Sequence, residues 1–211
     1  NATDALPDTE RPFVKQFVTG RDLAQIPKRR LVIDLFGLTE DEARSIAPCL
    51  YQHLANHVRP ERIQNKRDSY RKLWWIFAEP RSSYRKNLHG LDTHLLSPRT
   101  ASHRYFIEAP TTTLGESEVI TIALSDGFYK GVLSGSVHIL WSLFLGTRLG
   151  VGDDPRYAID CFATFPFPDL TESPLKQRIR DLGEKLDAHR KSRQAVHPDL
   201  TLTGIYNVLE K

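Results

Sequence analysis

Asp154-Pro155-Arg156-Tyr157 sets an acid and an arginine on either side of a proline, just ahead of a β-rich run that closes on Phe165-Pro166-Phe167-Pro168. The proline ring fixes its own backbone dihedral, so the two charged side chains project from a stiff segment. Three chemistries suit that pattern: an Asp-Pro turn with the arginine bridging internally, half of a metal site, or two side chains aimed at something outside the protein. Aimed outward at a DNA duplex, the guanidinium of Arg156 can donate two hydrogen bonds to guanine O6 and N7. The carboxylate of Asp154 can accept from the cytosine amino group, so the pair could read one C·G base pair at about 1–3 kcal/mol per good contact. Arg99 and Thr100 between two strands, Thr121 in "EVITIALS" and Lys130 after Asp126-Gly127 are further candidates for base edges.

Other chemistries lack their residues. The glycines Gly127, Gly131, Gly135, Gly146, Gly150 and Gly152 match neither a dinucleotide fingerprint nor a P-loop, and there is no Gly-x-Ser-x-Gly elbow. The 8 histidines are scattered. Asp92, His94 and His103, on two neighbouring strands, make the nearest approach to a magnesium-dependent nuclease site, which needs several acids converging on the ion. Cys49 and Cys161 have no Cys or His beside them and read as buried free thiols. The chain is therefore expected to be non-catalytic, with no metal and no cofactor of its own.

Net charge is only +3 over 211 residues, but the charge is not spread evenly. Residues 59–104 hold 11 Lys and Arg against 4 Asp and Glu, while the segments before and after are slightly acidic. A basic segment inside an otherwise acidic protein is a footprint for polyanions, with a solvated arginine-rich helix face as the alternative. Arg62, Lys66, Arg67, Arg71, Arg81, Arg85, Lys86 and Arg104 are the candidates for phosphate contacts, with Arg99 also within reach of that role. Arg59, Arg62 and Arg81 equally suit internal ion pairs. With 40% apolar residues a packed core is expected. No run approaches the roughly 20 apolar residues of a membrane span, and the expected location is cytoplasmic.

The elements that must position these residues follow from local pattern. Residues 31–36 read as a strand ended by Gly37. Thr39 and Glu42 are spaced as a capping box for a helix that Pro48 should split. Trp74, Trp75 and Phe77 read as core. A short helix over 82–88 stops at Gly90, and strands follow at "THLLS", "HRYFIEA", "EVITIALS" and "FYKGVLS". "SGSVHILWSLFLG" is a helix facing the core through Val137, Leu140, Trp141 and Phe144, with Ser134, Ser136 and His138 capping or packing it; "YAIDCFATFPF" is one more strand. Phe106, Trp141, Phe162 and Phe165 are expected in the core. The last third is a polar helix with the stripe Leu175, Ile179, Leu182 and Leu186, which could also serve a helix-mediated interaction module, and 199–211 begins another helix. The fold class is α+β: a mainly antiparallel, twisted sheet with flanking helices and a C-terminal helical segment.

Taken together, "VRPERIQNKRDSYRKLWWIFAEPR", "ASHRYFIEA", "FYKGVLSGSVHILWSLFLGTRLG" and "PRYAIDCFATFPFPDL" resemble the region that follows the catalytic core in large DNA adenine methyltransferases of the type IIG/IIL restriction-modification kind. The resemblance runs from about Phe13 onward. It implies a target recognition domain over 59–170, preceded by a joining segment over 1–58 and followed by a C-terminal helical segment over 171–211, similar to the recognition domains of type I specificity subunits. It also implies double-stranded DNA as partner and an upstream methyltransferase domain of the same chain that binds S-adenosylmethionine. In that family an acid two residues before an arginine, next to a tyrosine, reads bases, which matches Asp154, Arg156 and Tyr157. The opening on "NATDALP" without methionine, with Asn1-Ala2 as a tag remnant, and the close inside a helical pattern read as a piece of a longer polypeptide.

Overall fold

The computed structural model describes residues 5–149, 154–169 and 171–209. Asn1, Ala2, Gly150, Gly152 and the closing Glu210 and Lys211 lie outside the described residues. The chain divides into two units, Asn1–Gln16 with Arg30–Lys86 and Phe17–Arg29 with Asn87–Lys211. Residues 59–86 share the hydrophobic core of the first unit, and 171–209 pack within the second.

Strand β1 (Val14–Val18) begins in the first unit and ends in the second, where α1 (Gly20–Ala24) follows; β2 (Arg30–Ile33) returns to the first unit beside β1. The capping box forms as read. Thr39 Oγ1 accepts from the Glu42 amide at 3.3 Å and the Glu42 carboxylate accepts from the Thr39 amide at 2.8 Å, opening α2 (Glu40–Ile46). Pro48 then starts a separate helix, α3 (Pro48–His57), whose N-cap Ala47 has no side chain able to accept. The buried Glu10 takes that role, accepting from the Cys49 and Leu50 amides at 3.2 and 2.9 Å. Three short helices complete this unit's run: α4 (Arg59–Arg62), α5 (Asp68–Lys72) and α6 (Ser82–Asn87). Trp74 and Trp75 pack with Leu35, Leu50, Tyr51 and Leu54 as the core, and the Trp75 indole N–H donates to the Leu38 carbonyl at 3.0 Å. Cys49, expected buried, is exposed; Cys161 is buried.

The second unit is built on an antiparallel sheet in the order β4 (Ile107–Pro110), β3 (Thr93–Pro98), β6 (Val119–Ile122), with Leu95 opposite both Glu108 and Ile122. A parallel pair joins Phe17 and Val18 to β5 (Leu114–Gly115). Residues 128–134, expected as a strand, are helix α7 (Gly127–Ser134). Asp126 is its N-cap, accepting from the Phe128 amide at 2.8 Å, and is not part of a hairpin turn. Helix α8 (Ser136–Leu145) exists as expected but packs only partly by the expected face: Trp141 is half-buried and meets the Phe165 ring at 6.0 Å. His138 and Ser142 are buried, whereas Val137, Leu140 and Phe144 are 73%, 66% and 85% exposed. His138 can be inside because its two ring nitrogens meet the Leu133 carbonyl and the Tyr157 hydroxyl.

A short hairpin follows, β7 (Thr147–Leu149) against β8 (Asp154–Arg156). The run after Tyr157, expected as a strand, is helix α9 (Ile159–Ala163), leaving Phe165 and Cys161 in the core with Phe106 and Tyr157. Of "HRYFIEA" only Ile107, Glu108 and Ala109 are strand, as the start of β4. Helix α10 (Pro174–Val196) buries Gly183, Asp187 and Arg190, while Leu175 and Leu182 of the expected stripe stay exposed. It lies close along α7 because glycines meet there: a Cβ on Gly183 would stand 2.8 Å from the Gly131 nitrogen. Helix α11 (Leu202–Leu209) closes the described chain and leans on α1, with Thr203 Oγ1 donating to the Ala24 carbonyl at 3.1 Å. The class is α+β, with small, largely antiparallel sheets. Among the described residues no helix is long and apolar enough to cross a membrane.

Candidate nucleic-acid interface

Three chain segments in the second unit meet edge to edge and carry most of the candidate base readers. The Arg99 amide donates to the Glu118 carbonyl at 2.9 Å, the Tyr157 amide donates to the Arg99 carbonyl at 2.7 Å, and Thr100 bridges Arg156 in antiparallel sense. Backbone pairing thus aligns Glu118, Arg99 and Arg156 as lateral neighbours. Their side chains follow: one oxygen of the Glu118 carboxylate stands 3.9 Å from Arg99 Nε and 3.6 Å from Arg156 Nη2, all three side chains being partly exposed. On the same strand as Arg156, Asp154 accepts from the Ser102 hydroxyl at 2.9 Å, across 52 residues of sequence. The stretch is a strand and not a turn, but Arg156 does bridge internally, to Glu118. Asp154 is on the first residue of a strand, and among the described residues no group of three or more His, Cys, Asp or Glu could hold a metal ion.

Beneath this cluster lies Arg104. It is buried, and so does not act as a phosphate contact. Its guanidinium donates to the Ser97 hydroxyl at 3.0 Å, to the Pro98 carbonyl, and to the Arg99 and Pro155 carbonyls at 3.3 and 3.2 Å, while stacking 5.0 Å from the centre of the Tyr157 ring. Burial lowers its pKa to about 10, which still leaves it charged at neutral pH. One buried cation therefore ties the Arg99 segment to the Pro155 segment from below. Thr121 lies on β6 opposite Leu96, its methyl close against Gly115.

Lys130, expected at a base edge, lies inside the protein. It is 1% exposed, with its ammonium between the carboxylates of Glu108 and Glu184 at 2.5 and 3.1 Å. It crosslinks β4, α7 and α10. Asp92 is exposed, His94 is buried on β3, and His103 meets Asn207 at 2.6 Å and stacks on Tyr206, so these three are committed to local packing and to solvent.

The remaining candidate cations belong to the first unit. Lys66, Arg67, Arg71 and Lys86 are exposed. Arg62 and Arg67 both lie over the Tyr70 ring, at 5.5 and 5.2 Å, and Arg71 donates to the Asn65 carbonyl at 2.7 Å besides pairing with Asp68. Arg81 is half-buried with a positive φ of 52°. Arg85 is an internal tie and not a surface cation: it grips Asp34 through two bonds of 2.7 and 3.1 Å, and Lys15 approaches the same carboxylate at 3.1 Å. Sequence reading did not find Glu118 or Ser102. Ser102 lies in a bend and Glu118 in a turn, and each meets its partner only through a long-range approach of segments that no local pattern encodes.

No protein-family model matches the chain, and no curated protein matches it in sequence. Among solved structures it is similar to the type IIL restriction-modification enzyme MmeI in complex with DNA, at 20% identity and a TM-score of 0.65. The match covers 97% of this chain and 26% of that enzyme, so the chain spans about a quarter of the length of the protein it is similar to. The likeness is one of fold.

Proposed function

We propose that this chain is the DNA target recognition part of a bacterial restriction-modification enzyme that methylates adenine at N6. What supports the reading most directly is the fold likeness over 97% of the chain to an enzyme solved on DNA. The surface chemistry agrees with it. A recognition module needs cations that neutralise phosphates and a few side chains presented to base edges, and these are different residues. Lys66, Arg67, Arg71 and Lys86 suit the first task; Arg99, Asp154 and Arg156 suit the second, with Thr121 beside them in sequence order on β6. S-adenosylmethionine and the flipped adenine belong to a methyltransferase domain upstream in the same polypeptide, and the chain itself contributes binding and register.

The test is to sequence methylated adenines in cells expressing the enzyme that carries this chain, then to exchange Asp154 and Arg156 for other residues. The expected outcome is a methylation motif altered at one base pair, with methylation retained. An unchanged motif at full activity removes both residues from the reading set.

A further inference from the structure

We propose that Glu118 is a positioning residue for base reading: its single carboxylate holds Arg99 and Arg156 side by side so that the two guanidinium groups meet base edges as one unit. The proposal rests on the DNA-recognition reading above. Its geometric basis is the shared oxygen, 3.9 Å from Arg99 Nε and 3.6 Å from Arg156 Nη2, on backbones already locked edge to edge by the 2.9 and 2.7 Å amide bonds.

Stability does not account for this arrangement. The three side chains are 33%, 30% and 47% exposed for Arg99, Arg156 and Glu118, and exposed ion pairs add little to folding. One carboxylate against two guanidiniums leaves a net positive charge; Arg99 Nε is buried on the Glu118 side, while the two arginine side chains as a whole stay 33% and 30% exposed. Two bare arginines would serve a phosphate as readily as a guanine. A carboxylate between them repels the full negative charge of a phosphate much more strongly than the partial charges on the neutral acceptors of a purine edge. Glu118 therefore steers the two arginines from backbone toward bases and limits their swing. Asp154, tethered by Ser102, sits on the same strand as Arg156 and is the member free in chemistry to accept from a cytosine amino group.

The test uses the isosteric, uncharged Glu118→Gln in the intact enzyme. Two readouts are taken: affinity for a duplex of unrelated sequence across a range of salt, and the motif of methylated adenines in cells. Loss of the negative charge is expected to tighten binding to the unrelated duplex about three- to tenfold at roughly 50 mM salt. It should also steepen the salt slope by about 1, as a released arginine takes a phosphate. The methylated motif should become degenerate at one or two positions, and Glu118→Asp, which keeps the charge, should recover it in part. A merely structural role predicts something else: affinity for specific and unrelated duplexes falling together with the melting temperature. That result overturns the proposal, as does a Gln variant with unchanged motif and unchanged affinity. If the unaltered enzyme has no duplex affinity, the recognition reading itself fails; if it binds and Glu118→Gln changes nothing, only the role of Glu118 fails.

Discussion

Lys130 and Lys66 carry the same charge and end in opposite surroundings, one buried between two carboxylates and the other exposed. Charge counting along the chain could not separate them, because burial of a cation depends on partners 22 and 54 residues away. Arg85 and Arg104 show the same thing: both lie in the basic segment, and both are consumed internally, by a carboxylate and by carbonyls respectively. Buried ionisable groups also give the fold a pH dependence. His94 is fully buried, and desolvation lowers its pKa from 6.5 to about 4. An unfolded chain binds that proton below pH 6.5 while the folded chain does not, so stability falls as pH drops from 6.5 toward 4. His138, lowered by the same cause, acts in the same direction. Denaturant unfolding at pH 7 and pH 5 should show a loss of about 1–2 kcal/mol at the lower pH. Equal stability at both values would mean that His94 is protonated in the fold.

Elements defined by local chemistry were legible and those defined by long-range pairing were not. The Thr39 capping box, the split at Pro48 and the stop at Gly90, whose φ is 81°, are all set within a few residues, and each appears where the sequence places it. Helix α7 was misread because Asp126-Gly127 suits a hairpin turn as well as an N-cap, and the aromatic, β-branched run after it has no strong local preference. Helices α8 and α10 appear where the pattern places them, but their packed faces only in part: Trp141, Ile179 and Leu186 are half-buried, whereas Val137 and Leu182 are exposed and His138 and Gly183 lie inside. In α10 the contact needs the absence of a side chain. Adding a methyl at Gly183 drives it into the backbone of α7 at Gly127 and Gly131, whereas at Gly127 the obstacle is the flexible end of Glu184. Gly183→Ala is thus expected to cost about 2 kcal/mol net, even after the roughly 1 kcal/mol of helix propensity gained, and to lower the unfolding midpoint by about 4–8 °C. Gly127→Ala should cost distinctly less. Thermal melts of the two variants decide it, and equal midpoints would show that the helices can separate without penalty.

At the scale of the whole chain, the residues suited to the two tasks of the recognition role proposed above fall in different units. Exposed cations that no buried partner consumes, Lys66, Arg67 and Lys86, belong to the first unit, and the Arg99, Glu118, Arg156 and Asp154 cluster belongs to the second. A net charge of only +3 is compatible with tight DNA binding because the salt-dependent part of affinity counts contacted phosphates and not total charge. The division makes the two contributions separable in experiment. Replacing Lys66, Arg67 and Lys86 together by Gln should flatten the log-affinity against log-salt slope by up to about 3, since each lost phosphate contact removes about 0.9. Binding should weaken equally for every duplex sequence, because phosphate contacts carry no base information. The methylated motif of the enzyme should therefore stay the same while its affinity falls, the reverse of the pattern expected for Asp154, Arg156 and Glu118. Melting temperature should hold, as these three side chains are exposed, whereas the half-buried Arg85 replaced in the same way should lower it by leaving the buried Asp34 short of its bidentate partner. A triple variant with an unchanged salt slope would remove Lys66, Arg67 and Lys86 from the phosphate contacts.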